Sequence, residues 1–357
     1  MKLFAKNRSV VIWQPTGAYK ATSGSSGYTY GLSKWVYPLT ADSLGFSYYT
    51  YATNWLKNSD QQWQVVTDLG TEITLKTYPA VAKDQFALSL QTTPRITQTR
   101  KASGHHTIHF DFTSPRKGRV PAILVRPATR EIKLLVCFQH GIGAGYAKEL
   151  FLAEAQKLAA QGIASLMIDA PFIRQDEGFI KNAGMQDGEI IKTNTHEWLQ
   201  ALAVLSTLNV STANLAFVGH SYGARVGALL AHVDGRFRRV ICVGGIINYT
   251  EWLQTTLNAE IVGVRAALSD EDFRAYVATT APYDVSTAFL KRHETEFYFQ
   301  GKLNDAGVSE YDLLSCYETI NGPKSLSWYA QAHLFEGAAL TDRLGKLVQW
   351  AQVQKGR

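Results

Sequence analysis

Long hydrophobic runs are missing from this chain of 357 residues. None approaches the ~20 apolar residues that a bilayer-spanning helix needs. The opening Met1-Lys2-Leu3-Phe4-Ala5-Lys6-Asn7-Arg8 turns polar before an apolar signal core could form, so a cytoplasmic location without membrane attachment is the expectation. Cysteine is scarce. Of three cysteines, Cys137 and Cys242 sit inside apolar runs that read as buried strands, which argues against a disulfide framework and for free, buried thiols. A fixed-period repeat is lacking, and so is a dense run of one charge. The formal net charge is +6 and the pI about 9.0, but the basic residues are scattered. Their densest cluster, Arg236-Phe237-Arg238-Arg239, is short and reads as a solvated turn rather than a nucleic-acid footprint.

What the chain does contain changes in texture along its length. Up to about Pro94 it is rich in Tyr, Trp, Ser and Thr, with a flexible stretch Thr22-Ser23-Gly24-Ser25-Ser26-Gly27 and an aromatic run Phe46-Ser47-Tyr48-Tyr49-Thr50-Tyr51. Alternation in Trp63-Gln64-Val65-Val66 and Glu72-Ile73-Thr74-Leu75-Lys76-Thr77-Tyr78 predicts strands. Residues 1–101 therefore read as a small β-rich or irregular accessory domain. Its aromatics serve as its own core, with a sugar- or polymer-binding face as the functional alternative. From Ala102 strand and helix signals alternate. The run Ile132 to Phe138 is continuously apolar, Leu150 to Ala160 has helical spacing and stops at Gly162, and Ile163 to Ile168 is the next buried strand. This alternation predicts an α/β fold with a doubly wound, mostly parallel sheet, complete within residues 102–357 and so expected to fold without the N-terminal segment. In such sheets chemistry lies beyond the carboxyl ends of the strands.

The apolar run ending at Val218 is followed by Gly219-His220-Ser221-Tyr222-Gly223 and then the helix-like Ala224-Arg225-Val226-Gly227-Ala228-Leu229-Leu230-Ala231. Strand, G-x-S-x-G, helix is the context in which the pattern makes a nucleophile elbow, a turn so tight that glycines must flank it, with the Ser221 hydroxyl lifted above the sheet edge. An incidental turn is the bland alternative. A serine hydroxyl needs a base to take its proton and a carboxylate to hold that base. His333, in a loop after the strand-like Ser325 to Tyr329, is the candidate base. Asp305, just past Phe297-Tyr298-Phe299, is the candidate acid, with Asp312 and Asp284 as competitors. Only Asp305 lies immediately beyond a strand, whereas Asp312 falls inside a helix that Ser309 caps. The run Cys137-Phe138-Gln139-His140-Gly141-Ile142-Gly143 ends a central strand in a His-Gly turn. That assigns an oxyanion hole to the backbone amides of Ile142 and Tyr222 and leaves His140 to shape the loop rather than act as a base.

On these motifs the chain resembles the α/β-hydrolase superfamily, and more closely its dienelactone-hydrolase-like and bacterial carboxylesterase branch. The resemblance covers about Ala102 to the end and rests on His140-Gly141, Ile168-Asp169-Ala170-Pro171, Gly219 to Gly223, Gly301 to Asp305, and His333. Dienelactone hydrolases proper use a cysteine nucleophile where this chain has Ser221, so the resemblance implies an esterase. An insert over about residues 246–294, with helix-like Glu251-Trp252-Leu253-Gln254 and Glu271 to Val277, is placed to form a cap that sets acyl and alcohol preference.

The expectation is thus a serine hydrolase cleaving a small-molecule carboxylic ester through an acyl-enzyme, with no cofactor, metal or nucleic acid. Two alternatives come from other classes. A nucleotide-binding oxidoreductase would use Gly141-Ile142-Gly143-Ala144-Gly145 after a strand and Asp169 at the end of the next, but the third glycine is misplaced for G-x-G-x-x-G. A binding protein on a silent hydrolase scaffold would be expected to lack one of Ser221, Asp305 and His333, all of which are present.

Overall fold

The computed structural model describes residues 2–4, 9–22, 24–75, 82–86, 93–115, 118–129, 131–143, 145–174, 186–330 and 334–353. They form two sheets. The first is an antiparallel meander of β1 (Lys2–Phe4), β2 (Val10–Lys20), β3 (Ser26–Thr40), β4 (Ser43–Lys57) and β5 (Trp63–Ile73), joined in chain order. The second has nine strands: β6 (Arg95–Ala102), β7 (His105–Thr113), β8 (Arg119–Pro127), β9 (Leu134–Gln139), β10 (Ile163–Ile168), β11 (Leu215–His220), β12 (Phe237–Val243), β13 (Glu296–Lys302) and β14 (Lys324–Tyr329). Their spatial order is β14-β13-β12-β11-β9-β10-β8-β7-β6, with β9 to β14 mutually parallel and β8, β7 and β6 added antiparallel. The expected mostly parallel, doubly wound α/β sheet is what the chain forms.

Every residue of β9 and β10 is buried because helices cover both faces. Leu135, Cys137, Leu166 and Phe217 face a core completed by α2 (Gln186–Thr207) and α3 (Tyr222–Val233). Val136, Phe138, Met167 and Val218, one residue out of phase, face a core completed by α1 (Leu152–Ala159) and α8 (Gly337–Gln352). This two-sided burial is why the strands read as unbroken apolar runs. Between β12 and β13 the insert folds as α4 (Tyr249–Thr255), α5 (Ala259–Ala267), α6 (Asp270–Thr280) and two short 3-10 turns, and α7 (Glu310–Thr319) joins β13 to β14. Strand order reverses at β9, which has β10 on one side and β11 on the other, so the segments leaving β9 and β11 diverge and open a crevice at their carboxyl ends.

The nine-stranded sheet also takes in β6, which pairs with β7 at its edge. All eight residues of β6 are exposed, and its polar sequence carries no apolar signal by which a strand could be recognised. The basic cluster at Arg236–Arg239, expected as a solvated turn, is turn only at Arg236, which closes on Asp234 at 2.6 Å; Phe237, Arg238 and Arg239 begin β12, and Arg239 lies over the Trp350 ring. Cys137, Cys242 and Cys316 are free and buried. No helix among the described residues is long and apolar enough to cross a membrane.

The N-terminal sheet does not stand apart from the larger unit. Register puts Ile12, Lys34 and Tyr48 in one cross-strand row, and Val10 and Ile12 pack with Tyr311 of α7. In the middle of that contact the Lys34 ammonium, with its side chain 0% exposed, meets Glu251 Oε2 of α4 at 2.6 Å, Ser315 Oγ at 2.9 Å and Thr319 Oγ1 at 3.0 Å. Burial alone would raise the Glu251 pKa, but the Lys34 charge and the hydrogen bonds outweigh it and hold the carboxyl below its usual range. Self-sufficiency of residues 102–357 is therefore not what the packing favours, since removing the sheet strands Glu251 and uncovers α7. Lys34→Met, which leaves a buried carboxylate unpaired, is expected to cost about 3–5 kcal/mol in urea unfolding, and the double variant Lys34→Met/Glu251→Leu to recover most of it. A loss under about 1 kcal/mol in the single variant would show that the pair does not hold the two sheets together.

Candidate active site

Ser221 joins β11 directly to α3 with φ 50° and ψ −114°, a conformation that residues with a side chain rarely adopt. The turn is closed by Ser221 N–H donating to Val243 O at 3.0 Å and Ala224 N–H donating to Ser221 O at 2.9 Å. Its glycines are sterically required, since a Cβ on Gly219 would stand 2.1 Å from Gly223 O and C. A non-glycine residue held at positive φ between two obligatory glycines is the tight strand-to-helix turn anticipated from the motif.

The segment leaving β9 lies against this turn. A Cβ on Gly141 would come within 2.9 Å of Ser221 Cβ, so the backbone that continues to Ile142 runs immediately beside the serine side chain. Tyr222 opens α3, where the first amides have no intrahelical acceptor and the helix dipole favours negative charge. His140 builds the loop: Nδ1 donates to Gly141 O at 2.8 Å, and Nε2 accepts from Ala170 N–H at 3.1 Å. With one ring nitrogen donating and the other accepting, the imidazole is neutral, and burial lowers its pKa accordingly. Behind the elbow Gln139 Oε1 accepts from Trp198 Nε1 at 2.7 Å and Asn194 Nδ2 at 3.2 Å, and Asn194 also donates to the Tyr222 hydroxyl at 3.1 Å. Sequence reasoning missed this brace. The i, i+4 spacing of Asn194 and Trp198 was the available signal.

The three carboxylates separate by what they already hold. Asp312 forms a capping box with Ser309 and accepts from Thr256 Oγ1 at 3.0 Å. Asp284 accepts from Thr250 N–H at 2.6 Å and from Ser286 N–H and Oγ at 2.9 and 2.6 Å, fixing the start of α4. Asp305, in the loop after β13, accepts from Gly307 N–H at 2.7 Å and Val308 N–H at 3.1 Å through Oδ1 alone, and neither bond uses Oδ2. His333 lies outside the described residues. The residues just after it pack at the site: Leu334 meets Gly244 beyond β12, and the Phe335 ring stands 4.7 Å from that of His220. Asp169 is taken by Lys148, whose backbone N–H and ammonium both reach it at 2.9 Å, and this leaves the nucleotide-binding alternative without its ribose carboxylate. Among the described residues no group of three or more His, Cys, Asp or Glu could hold a metal ion.

His220, beside Ser221, is enclosed by the rings of Tyr146 at 5.2 Å and Phe335. Burial lowers its pKa to about 4, with Arg343 pushing the same way and Asp305 opposing. Above about pH 6.5 the residue is neutral in both folded and unfolded chains and contributes no pH dependence. Below that the unfolded chain takes the proton first, so stability falls as the pH drops towards about 4. Unfolding free energies of the wild type and His220→Gln between pH 7 and 4 are expected to show this loss, up to about 3 kcal/mol, in the wild type and not in the variant. Parallel curves would mean that the ring is solvated.

Several solved structures are similar to the chain. An acetyl xylan esterase from Paenibacillus sp. R4 is 16% identical, with 75% of this chain and 90% of that one covered at a TM-score of 0.58. Acetyl xylan esterase 1 from Thermoanaerobacterium sp. JW/SL YS485 is 15% identical, with 77% and 96% covered at 0.59. An S-formylglutathione hydrolase from Agrobacterium tumefaciens is 13% identical, with 72% and 98% covered at 0.53. No family model matches the chain, and neither does any curated protein. Identities this low speak to architecture alone, and together with the strand order and the turn at Ser221 they establish that the chain has the α/β-hydrolase fold.

Proposed function

We propose that the protein is a serine hydrolase that cleaves a small-molecule carboxylic ester through an acyl-enzyme. In this reading Ser221 Oγ attacks the ester carbonyl carbon, His333 takes the hydroxyl proton and passes it to the leaving alcohol, and Asp305 orients His333. The Ile142 and Tyr222 amides receive the developing oxyanion, and water then releases the acid by the reverse sequence. The observation that carries the reading is the strained φ of 50° at Ser221, at the start of α3 with the Gly141 backbone against its side chain. Asp305 is supported as the acid by its uncommitted Oδ2, since Asp312 and Asp284 are bonded within helix caps. The solved structures of like fold include two acetyl xylan esterases and an S-formylglutathione hydrolase, which agrees with an acyl-transfer reaction. We further divide the chain into an N-terminal unit over residues 1–101 and a catalytic unit over 102–357, with residues 246–294 acting as the cap.

A fluorophosphonate probe is expected to label Ser221, and Ser221→Ala to abolish both labelling and hydrolysis of p-nitrophenyl esters. Asp305→Asn should keep the fold and lower kcat by up to about 10⁴, because the wrong histidine tautomer is then favoured. Asp312→Asn and Asp284→Asn should change kcat less than about tenfold while lowering Tm, since each loses a helix cap. Labelling at another residue, or Asp284→Asn as the crippling change, overturns the assignment.

A further inference from the structure

Arg225 lies on α3 one turn beyond Ser221 and three residues after Tyr222, which puts it on the Tyr222 face of the helix. It is 3% exposed. Its guanidinium carbon sits 3.9 Å from the centroid of the Tyr249 ring of α4, and Nη2 makes a long 3.3 Å bond to Thr280 O at the end of α6. Nε and Nη1 are buried without any hydrogen-bond partner among the described residues. A guanidinium cannot shed its proton, so a buried one without a bonded anion is costly. The carboxylate that acts on the same neighbourhood, Asp187 of α2, does not supply one. It is 1% exposed, Oδ2 accepts from the Tyr276 hydroxyl at 2.6 Å, and Oδ1 has no partner among the described residues. Burial raises the Asp187 pKa to about 6, against the opposing pull of Tyr276 and Arg225, as expected of a carboxyl that lacks a close cation. Among the described residues, then, the cation beneath the insert helices is unmatched, one helical turn from Ser221.

We propose that Arg225 is a substrate-binding residue and that the preferred ester carries a carboxylate, which accepts charge-assisted hydrogen bonds from Nε–H and Nη1–H. The inference rests on the ester-hydrolase reading above and narrows its substrate class. A carboxylate could come from the acyl chain or from the alcohol, and two matched series separate the sources. Mono-p-nitrophenyl glutarate and adipate are compared with p-nitrophenyl valerate and hexanoate, and 4-acetoxybenzoate with its neutral methyl ester.

In one of the two series the wild-type kcat/KM is expected to favour the charged member by at least about tenfold. In that series the charged-to-neutral ratio should fall by at least about tenfold in Arg225→Met and by less in Arg225→Lys, which keeps the charge. Adipate is also expected to raise the Tm of the wild type but not of Arg225→Met. If Arg225→Met does not fold, the wild-type preference alone decides. Equal rates for charged and neutral members in both series, or a ratio unchanged in Arg225→Met, overturns the proposal and leaves a water bridging Arg225 to Asp187. Neutral esters cleaved without discrimination leave the hydrolase reading standing, whereas failure of every ester together with no labelling of Ser221 removes both.

Discussion

Everything at the site depends on how closely two chain segments approach each other where β9 and β11 end side by side. The end of β11 has no room for a side chain at Gly219, and the segment after β9 has none at Gly141. This crowding holds Ser221 in a backbone conformation that costs of order 1–3 kcal/mol when isolated, and it persists because surrounding bonds over-determine it. Those bonds come from both neighbours: Val243 O takes the Ser221 amide, and Gln139, at the end of β9, is gripped by Trp198 and Asn194, the latter also holding Tyr222. A serine so fixed has little conformational freedom left to lose.

Around this fixed point the chain places parts of different rigidity. The parallel strands are packed on both faces and give the site its frame. The insert of α4, α5 and α6 is held by separate polar devices: Asp284 at the start of α4, Tyr276 on Asp187, and Lys34 on Glu251. The Asp284 bond fastens the insert to itself, whereas Tyr276 and Glu251 tie it to α2 and to β3.

The parts of the fold that were legible in the sequence are those governed by local physics. The run from Ile132 to Phe138 and the strand before Gly219 are apolar because both faces are covered, and the elbow is legible because only glycines tolerate its crowding. The place of Asp312 inside a helix capped by Ser309 was legible for the same local reason. What escaped notice depends on distant partners or on the lack of any core. β6 is wholly exposed, so nothing in Arg95–Ala102 marks it as part of the larger sheet. A lysine in a strand reads as solvated, and the burial of Lys34 is set by groups 217 and 281 residues away. Arg225 looks like an ordinary helix residue until its surroundings are known.

The Lys34 contact also has a consequence for how the chain is made. The first sheet leaves the ribosome early, yet the ammonium in its centre and the apolar row beside it are answered only by α4 and α7. Synthesis at about 5–20 residues per second means that Lys34 waits roughly 14 to 56 s for Ser315 to appear. Throughout that interval long strands rich in Tyr and Trp stand open to pairing with other nascent chains, so the yield of folded protein depends on what shields the N-terminal sheet until its own C-terminal third arrives.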